Sequence, residues 1–202
     1  MKTKERIILK ALELFNEEGV KEVTLRKIAG ALGISQGNLN YHFRTKAEII
    51  AELYFKLVDK MNTEMEKITQ EQPILSFLYD TSKISMKILY DYRFITRDLY
   101  AVLEADKALK KHYIELQQMR SHQYIFLFQN MIKQGLMREE ELKGEYERLY
   151  ERMNILGDNW INAAVFFNRN YASKVDHYHA LLFEVIYPYL TQKGKQQYRE
   201  LL

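Results

Sequence analysis

The chain has 202 residues, 47% apolar and 28% charged, with 13% aromatics, 2 Pro, 8 Gly and no Cys, a make-up that can bury a sizeable core as one large domain or two small ones. The absence of Cys excludes disulfide scaffolds, thiolate zinc sites and Cys nucleophiles. No apolar run approaches the roughly 18 residues of a spanning helix, and the N-terminus does not read as a secretion signal, so a cytoplasmic protein with no membrane partner is expected.

The net charge of +3 is confined to residues 1–50, which hold 9 Lys or Arg against 6 Glu, whereas the other 152 residues balance 21 against 21. Apolar spacings of three and four predict helix almost throughout. Ile7, Ile8, Ala11, Leu12 and Phe15 form one stripe, giving a helix over about 3–18 that stops at Gly19. Thr24 is an N-cap for a short helix carrying Leu25, Ile28, Ala29 and Leu32, with Gly33 directly after it. Ser35 caps another reaching about His42, and Thr45 caps a long one from Lys46 to about Ile68. Pro73 suits the first turn of a helix to Tyr90. Further helices are predicted at about 93–104, 107–134, 146–170 and 174–190, bounded by Gly135, Gly144 and Asn170, with a short tail helix after Gly194. No alternating run of strand type occurs. The fold expected is all-α: a three-helix N-terminal head, 1–46, and a larger helical bundle, 47–202, about nine or ten helices in all.

The stretch from Thr24 to Phe43 carries the chemistry. Two short helices joined at Gly33 must pack closely, which the small Ala29 permits, and Ile28, Leu32, Ile34 and Leu39 lock them together. The second helix leaves Ser35, Gln36, Asn38 and Asn40 polar and free. A rigid apolar underside with short hydrogen-bonding side chains is what a helix-turn-helix offers to a major groove, and Gln and Asn can pair with adenine edges. The same pattern also suits a helical hairpin with a solvated polar face.

Residues 4–58 resemble the DNA-binding part of the TetR family of bacterial transcription regulators. The resemblance rests on Ala11-Leu12-Glu13-Leu14-Phe15, Gly19, Val23 to Ala29, Leu32-Gly33-Ile34-Ser35, Leu39-Asn40-Tyr41-His42-Phe43 and Thr45-Lys46-Ala47-Glu48. It implies that Gln36, Gly37 and Asn38 approach base edges. It further implies that Thr24, Arg26, Tyr41, His42 and Lys46, with Ser35 and Asn40 beside them, contact phosphates of a double-stranded operator. Asn40 stands where the family commonly has Tyr; the shorter amide reaches either a closer phosphate or a base. Gly30 occupies a helix interior, explained either by exposure or by close approach of another backbone.

Other signals are weaker. His177 and His179 diverge on a helix, His112 and His122 stand ten apart, and no Cys is available, so neither a metal nor another cofactor is expected. No phosphate loop, nucleophile elbow or other catalytic signature occurs, which points away from an enzyme. The seams Leu149, Met153, Leu156, Trp160, Ala163, Phe167 and Val175, Tyr178, Leu182, Val185, Tyr189 pack helix on helix. The extra apolar edges Ile161, Val165, Phe166 and Leu181, Ile186 exceed one intramolecular face. The resemblance implies a homodimer through these last two long helices, with Phe166, Tyr178, Leu182 and Val185 at the interface; a thick core is the other reading. It also implies an unidentified small-molecule effector held among Phe94, Tyr100, Arg120, Tyr124, Phe128 and Trp160, residues that equally suit plain core. Arg120 falls in the seam Leu109, Tyr113, Leu116, Tyr124, Leu127, Met131, where it reaches the surface over a packed stem, pairs with a carboxylate such as Asp98 or Glu104, or binds an anionic group of the effector. The function expected is a ligand-responsive repressor; an activator or chromosome-organising factor of the same fold without an effector, and a helical protein with no DNA role, are the alternatives.

Overall fold

The computed structural model describes residues 2–68, 71–167 and 173–202. Among them run eleven α-helices: α1 (Thr3–Glu18), α2 (Leu25–Leu32), α3 (Gln36–His42), α4 (Lys46–Glu66), α5 (Ile74–Asp91), α6 (Arg93–Arg97), α7 (Leu99–Ala105), α8 (Lys107–Lys133), α9 (Glu145–Phe166), α10 (Lys174–Glu184) and α11 (Gln192–Glu200). An isolated antiparallel bridge pairs Met137 with Leu190. No described helix is long and apolar enough to cross a membrane.

Three boundaries depart from the sequence reading. The helix expected over 93–104 is two short ones, α6 and α7, meeting at Asp98, whose φ and ψ of −118° and 29° leave the helical region. The helix expected to reach 190 stops at Glu184, because Pro188 has no N–H for the Glu184 carbonyl and its ring crowds that group; the chain continues as a 3-10 turn, Tyr187–Tyr189. Gly194 does not precede the tail helix but lies buried inside it, Thr191 being the cap whose hydroxyl accepts the Gly194 N–H. The boundary placed at Asn170 lies outside the described residues.

Contacts divide the chain into two compact units, Met1–Lys60 with Asp91–Tyr113, and Met61–Tyr90 with Ile114–Leu202. This differs from the division at 46/47, because α6 packs on α1. In the first unit Ile7, Ile8, Ala11, Phe15, Ile28, Leu39, Phe43, Ile49 and Leu53 are buried. Phe94 of α6 packs on Phe15, their ring centroids 5.1 Å apart. Asn16, buried on the same face, donates to the Asp91 carbonyl (2.7 Å) and accepts from the Phe94 N–H (3.1 Å), so one amide side chain satisfies two backbone groups.

The second unit is a bundle around Leu75, Leu78, Met86, Phe128, Met131, Leu149, Trp160, Ile161 and Phe183. Its α8–α9 connection is fixed by Arg138, whose two terminal nitrogens each lie 2.8 Å from a Glu145 carboxylate oxygen. Buried His179 of α10 lies 2.9 Å from Ser82 Oγ of α5 and edge-on to the Tyr79 ring.

Candidate nucleic-acid interface

The first unit builds a helix-turn-helix from local rules. Thr24 Oγ1 accepts the Lys27 N–H at the start of α2. Gly33 ends it with φ 65° and ψ 29°, left-handed values that glycine adopts without a Cβ penalty, and the Ile34 N–H returns to the Ala29 carbonyl. Ser35 Oγ then accepts the Asn38 N–H to start α3. Leu39 is fully buried under α3, while Gln36, Gly37, Asn38 and Asn40 are exposed and Tyr41 is 87% exposed. A Cβ on Gly37 would meet only Ser35 Oγ, at 3.9 Å, so this turn of α3 is open to an approaching surface.

Arg26 is exposed at the start of α2, and His42 is half-buried with its ring edge-on to Tyr41. The hydroxyls of Thr24 and Ser35 serve as caps through their oxygens, which leaves each O–H hydrogen available. Lys46 differs from the rest: its ammonium donates to the Val20 carbonyl (2.6 Å) and the Val23 carbonyl (3.0 Å). It ties the α1–α2 connection to the start of α4. Gly30 is exposed, with nothing within 4 Å of an added Cβ, so no neighbouring protein backbone explains it.

In the second unit a cavity of about 940 Å³ lies among the end of α4, α5, α8 and α9. Five of its lining residues are methionines, Met61, Met65, Met86, Met119 and Met153, beside Phe77, Leu116, Leu127 and Tyr150. Arg120 and Tyr124 line it; the other four expected pocket residues do not. Phe94 sits in the core of the first unit against Phe15, and Tyr100 is 80% exposed. Phe128 is buried in the bundle core. Trp160 is buried with Tyr90 stacked on its ring at 5.8 Å and Tyr178 tilted against it at 5.4 Å. Sequence reasoning missed the methionines, whose signal was their number: unbranched thioethers fill irregular space.

Arg120 has no carboxylate within ion-pair distance among the described residues; it donates to Met61 Sδ at 3.2 Å. Glu104, one partner considered for it, pairs with Lys110 instead. Burial raises the Tyr124 hydroxyl pKa and the positive charge of Arg120 opposes that rise. Burial likewise pushes Tyr150 up to about 12, and its hydroxyl donates to Gln117 Oε1 (3.2 Å). Among the described residues no group of three or more His, Asp or Glu could hold a metal ion.

The expected interface residues also separate. Tyr178 and Leu182 are buried in the bundle core, each 7% exposed, and Val185 is half-buried, so Tyr178 and Leu182 cannot present a face to a partner. Phe166, at 84%, remains exposed, together with Ile155, Val165, Phe167 and Leu181. The seam lies inward because α9 and α10 pack on each other along it.

The exposed polar face of α3 above a buried apolar underside defines a helix-turn-helix DNA-binding protein. The family model described as bacterial regulatory proteins of the tetR family matches residues 7–53, and that of the TetR bacterial transcriptional repressor matches 56–198. The chain belongs to the TetR family of bacterial transcriptional regulators, a non-enzymatic class. An HTH-type transcriptional regulator of Staphylococcus aureus is 28% identical over 105 residues, 52% of this chain and 55% of that one, so the match spans little more than half of that relative's length. YttP, an HTH-type regulator of Bacillus subtilis, is 26% identical over 69% of this chain and 68% of its own. A TetR-family regulator of Marinobacter aquaeolei superposes with a TM-score of 0.87 at 26% identity, over 100% of this chain and 97% of that one. A regulator of Saccharomonospora viridis solved in complex with choline shares the fold, with a TM-score of 0.74 at 20% identity over 94% and 98% of the two chains.

Proposed function

We propose that this protein is a homodimeric repressor that binds a near-palindromic operator through α3 and is released by a small molecule held in the cavity of the second unit. The observation that carries the reading is the cavity itself, about 940 Å³ and within the size range of small-molecule sites, in the part of the chain matched by the repressor model. A neighbour of the same fold holds choline, which supports a small-molecule effector.

Gln36, Gly37 and Asn38 read bases, while Thr24, Arg26, Ser35, Tyr41 and His42 position the helix on phosphates. Asn40 is exposed next to them and joins either set. The exposed apolar edge of α9 and α10, with Phe166 at its end, is the dimer face. α4 is one helix from Lys46 to Glu66, and Met61, Met65 and Glu66 line the cavity. A molecule filling the cavity therefore presses on the helix that begins beside α3, and the resulting tilt spreads the two recognition helices out of register with the half-sites.

The test is binding to the DNA flanking the gene. Gln36→Ala or Asn38→Ala costs about 1 to 3 kcal/mol on the protected palindrome and little on random DNA. Equal losses on both would remove α3 from base recognition. Mass spectrometry of molecules that co-purify with the protein identifies the effector.

A further inference from the structure

The lining of the cavity is uneven in its hydrogen-bonding groups. Arg120 lies on an otherwise apolar stripe of α8 and is half-buried, yet its guanidinium meets a thioether sulfur rather than a carboxylate. Five N–H donors with one weak acceptor leave a charge that the described residues do not satisfy. Tyr124, one turn further along α8, also lines the cavity. Its ring packs on Tyr150 and Phe128, but its hydroxyl makes no hydrogen bond among the described residues. Residues four apart lie on one helix face, so guanidinium and hydroxyl project together. A third donor, Gln72 Nε2, is buried on the lining without an acceptor among the described residues.

The acidic residues of the lining do not cancel this. Glu66 and Glu71 are solvent-exposed, and both Glu71 and Asp158 have interactions of their own within the protein. The lining also carries the neutral amides Asn62, Gln123, Asn130, Gln134 and Asn154, but the contact that Arg120 makes is to Met61 Sδ, so its charge has no anionic acceptor among the described residues.

The geometry points to Arg120 and Tyr124 as an anchor for a carboxylate, and hence to effectors that are apolar molecules bearing one carboxylate group. The planar guanidinium presents two parallel N–H groups that match the two carboxylate oxygens, and the Tyr124 O–H supplies a third donor. Phe77, Leu127 and the methionines take the apolar body. This rests on the reading of the cavity as the effector site and specifies the chemistry that site selects.

Three ten-carbon probes differing in the head group test it on the full-length protein: decanoate, decanol and decyltrimethylammonium, titrated calorimetrically below their micellar concentrations. Decanoate is expected to bind at least about tenfold more tightly than decanol, as a charge-assisted pair requires. Arg120→Met is expected to remove that preference while leaving decanol affinity and the folded circular-dichroism spectrum in place. Tyr124→Phe is expected to reduce it several-fold and provides the measurement if Arg120→Met does not fold. A preference for decyltrimethylammonium, or a decanoate preference that survives in both variants, overturns the anchor. Decanol binding with no preference for decanoate overturns the anchor while leaving the cavity as a small-molecule site. Binding of none of the three counts against both.

Discussion

A Cβ built on Gly194 would lie 2.0 Å from the Leu136 carbonyl oxygen. That oxygen accepts the Thr191 N–H (3.0 Å), the Thr191 hydroxyl donates to the Gly135 carbonyl (2.7 Å), and Lys193 Nζ donates to the Gln134 carbonyl (3.0 Å). The end of α8 is thus capped by the start of α11. Gly194→Ala forces two backbones apart and should cost at least about 2 kcal/mol, the range of overpacking at a closed contact. Urea unfolding checks it; a stability within about 0.5 kcal/mol of the parent would show that α11 is not docked there.

Lys46 joins the α1–α2 connection to α4 by two bonds from one ammonium. Lys46→Met keeps the stem and removes both, so stability should fall by about 1 to 3 kcal/mol, the range for charged donors to carbonyls. DNA binding should weaken at every sequence, with little change in its salt dependence. A slope lower by about 1 would identify a phosphate contact by the remaining N–H.

His179 is 1% exposed, and its pKa is pushed down to about 4, chiefly by burial and next by the positive charge of Lys83, against weaker opposition from a hydrogen bond to the Tyr79 backbone and from Asp176 and Asp80. The folded value lies below the unfolded one of 6.5. Its contribution is therefore complete above pH 6.5 and is lost as pH falls toward 4, when the unfolded chain takes up a proton that the fold refuses. Between pH 7.5 and 4.5 the protein should lose about 2 to 3 kcal/mol more than a His179→Phe variant. Parallel pH profiles for the two would place the cause of acid lability in other groups.

Phe166→Glu with Leu181→Lys changes two exposed side chains and leaves the bundle core untouched. Sedimentation should then give a folded monomer. An intact dimer would move the interface to another surface.

The head was legible because its determinants are local. Thr24, Gly33 and Ser35 act on backbone groups within a few residues, and the stripe of α1 needs only a period of 3.6. The Asp98 break was not, since a short apolar stretch reads alike as one helix or two. Cavity membership was not legible either: Phe94, Tyr100, Phe128 and Trp160 share a residue type with true wall residues, and what separates them is which face of each helix meets empty space. The inward seam of Tyr178 and Leu182 was visible as a stripe, but periodicity does not tell whether a stripe faces its own chain or another. Asn16 escaped notice because its two partners lie more than 70 residues away.

Those partners impose an order of assembly. During synthesis α1 to α3 emerge first, but the ring that packs on Phe15 and both backbone partners of Asn16 arrive only when residues 91–94 have left the ribosome and folded back onto α1. A fragment cut after Thr45 or Lys60 would carry the whole recognition motif and still lack the Phe94 ring against Phe15 and both partners of the Asn16 amide. The DNA-reading part of this protein is therefore completed from the middle of its chain, and a grafted version must bring α6 with it.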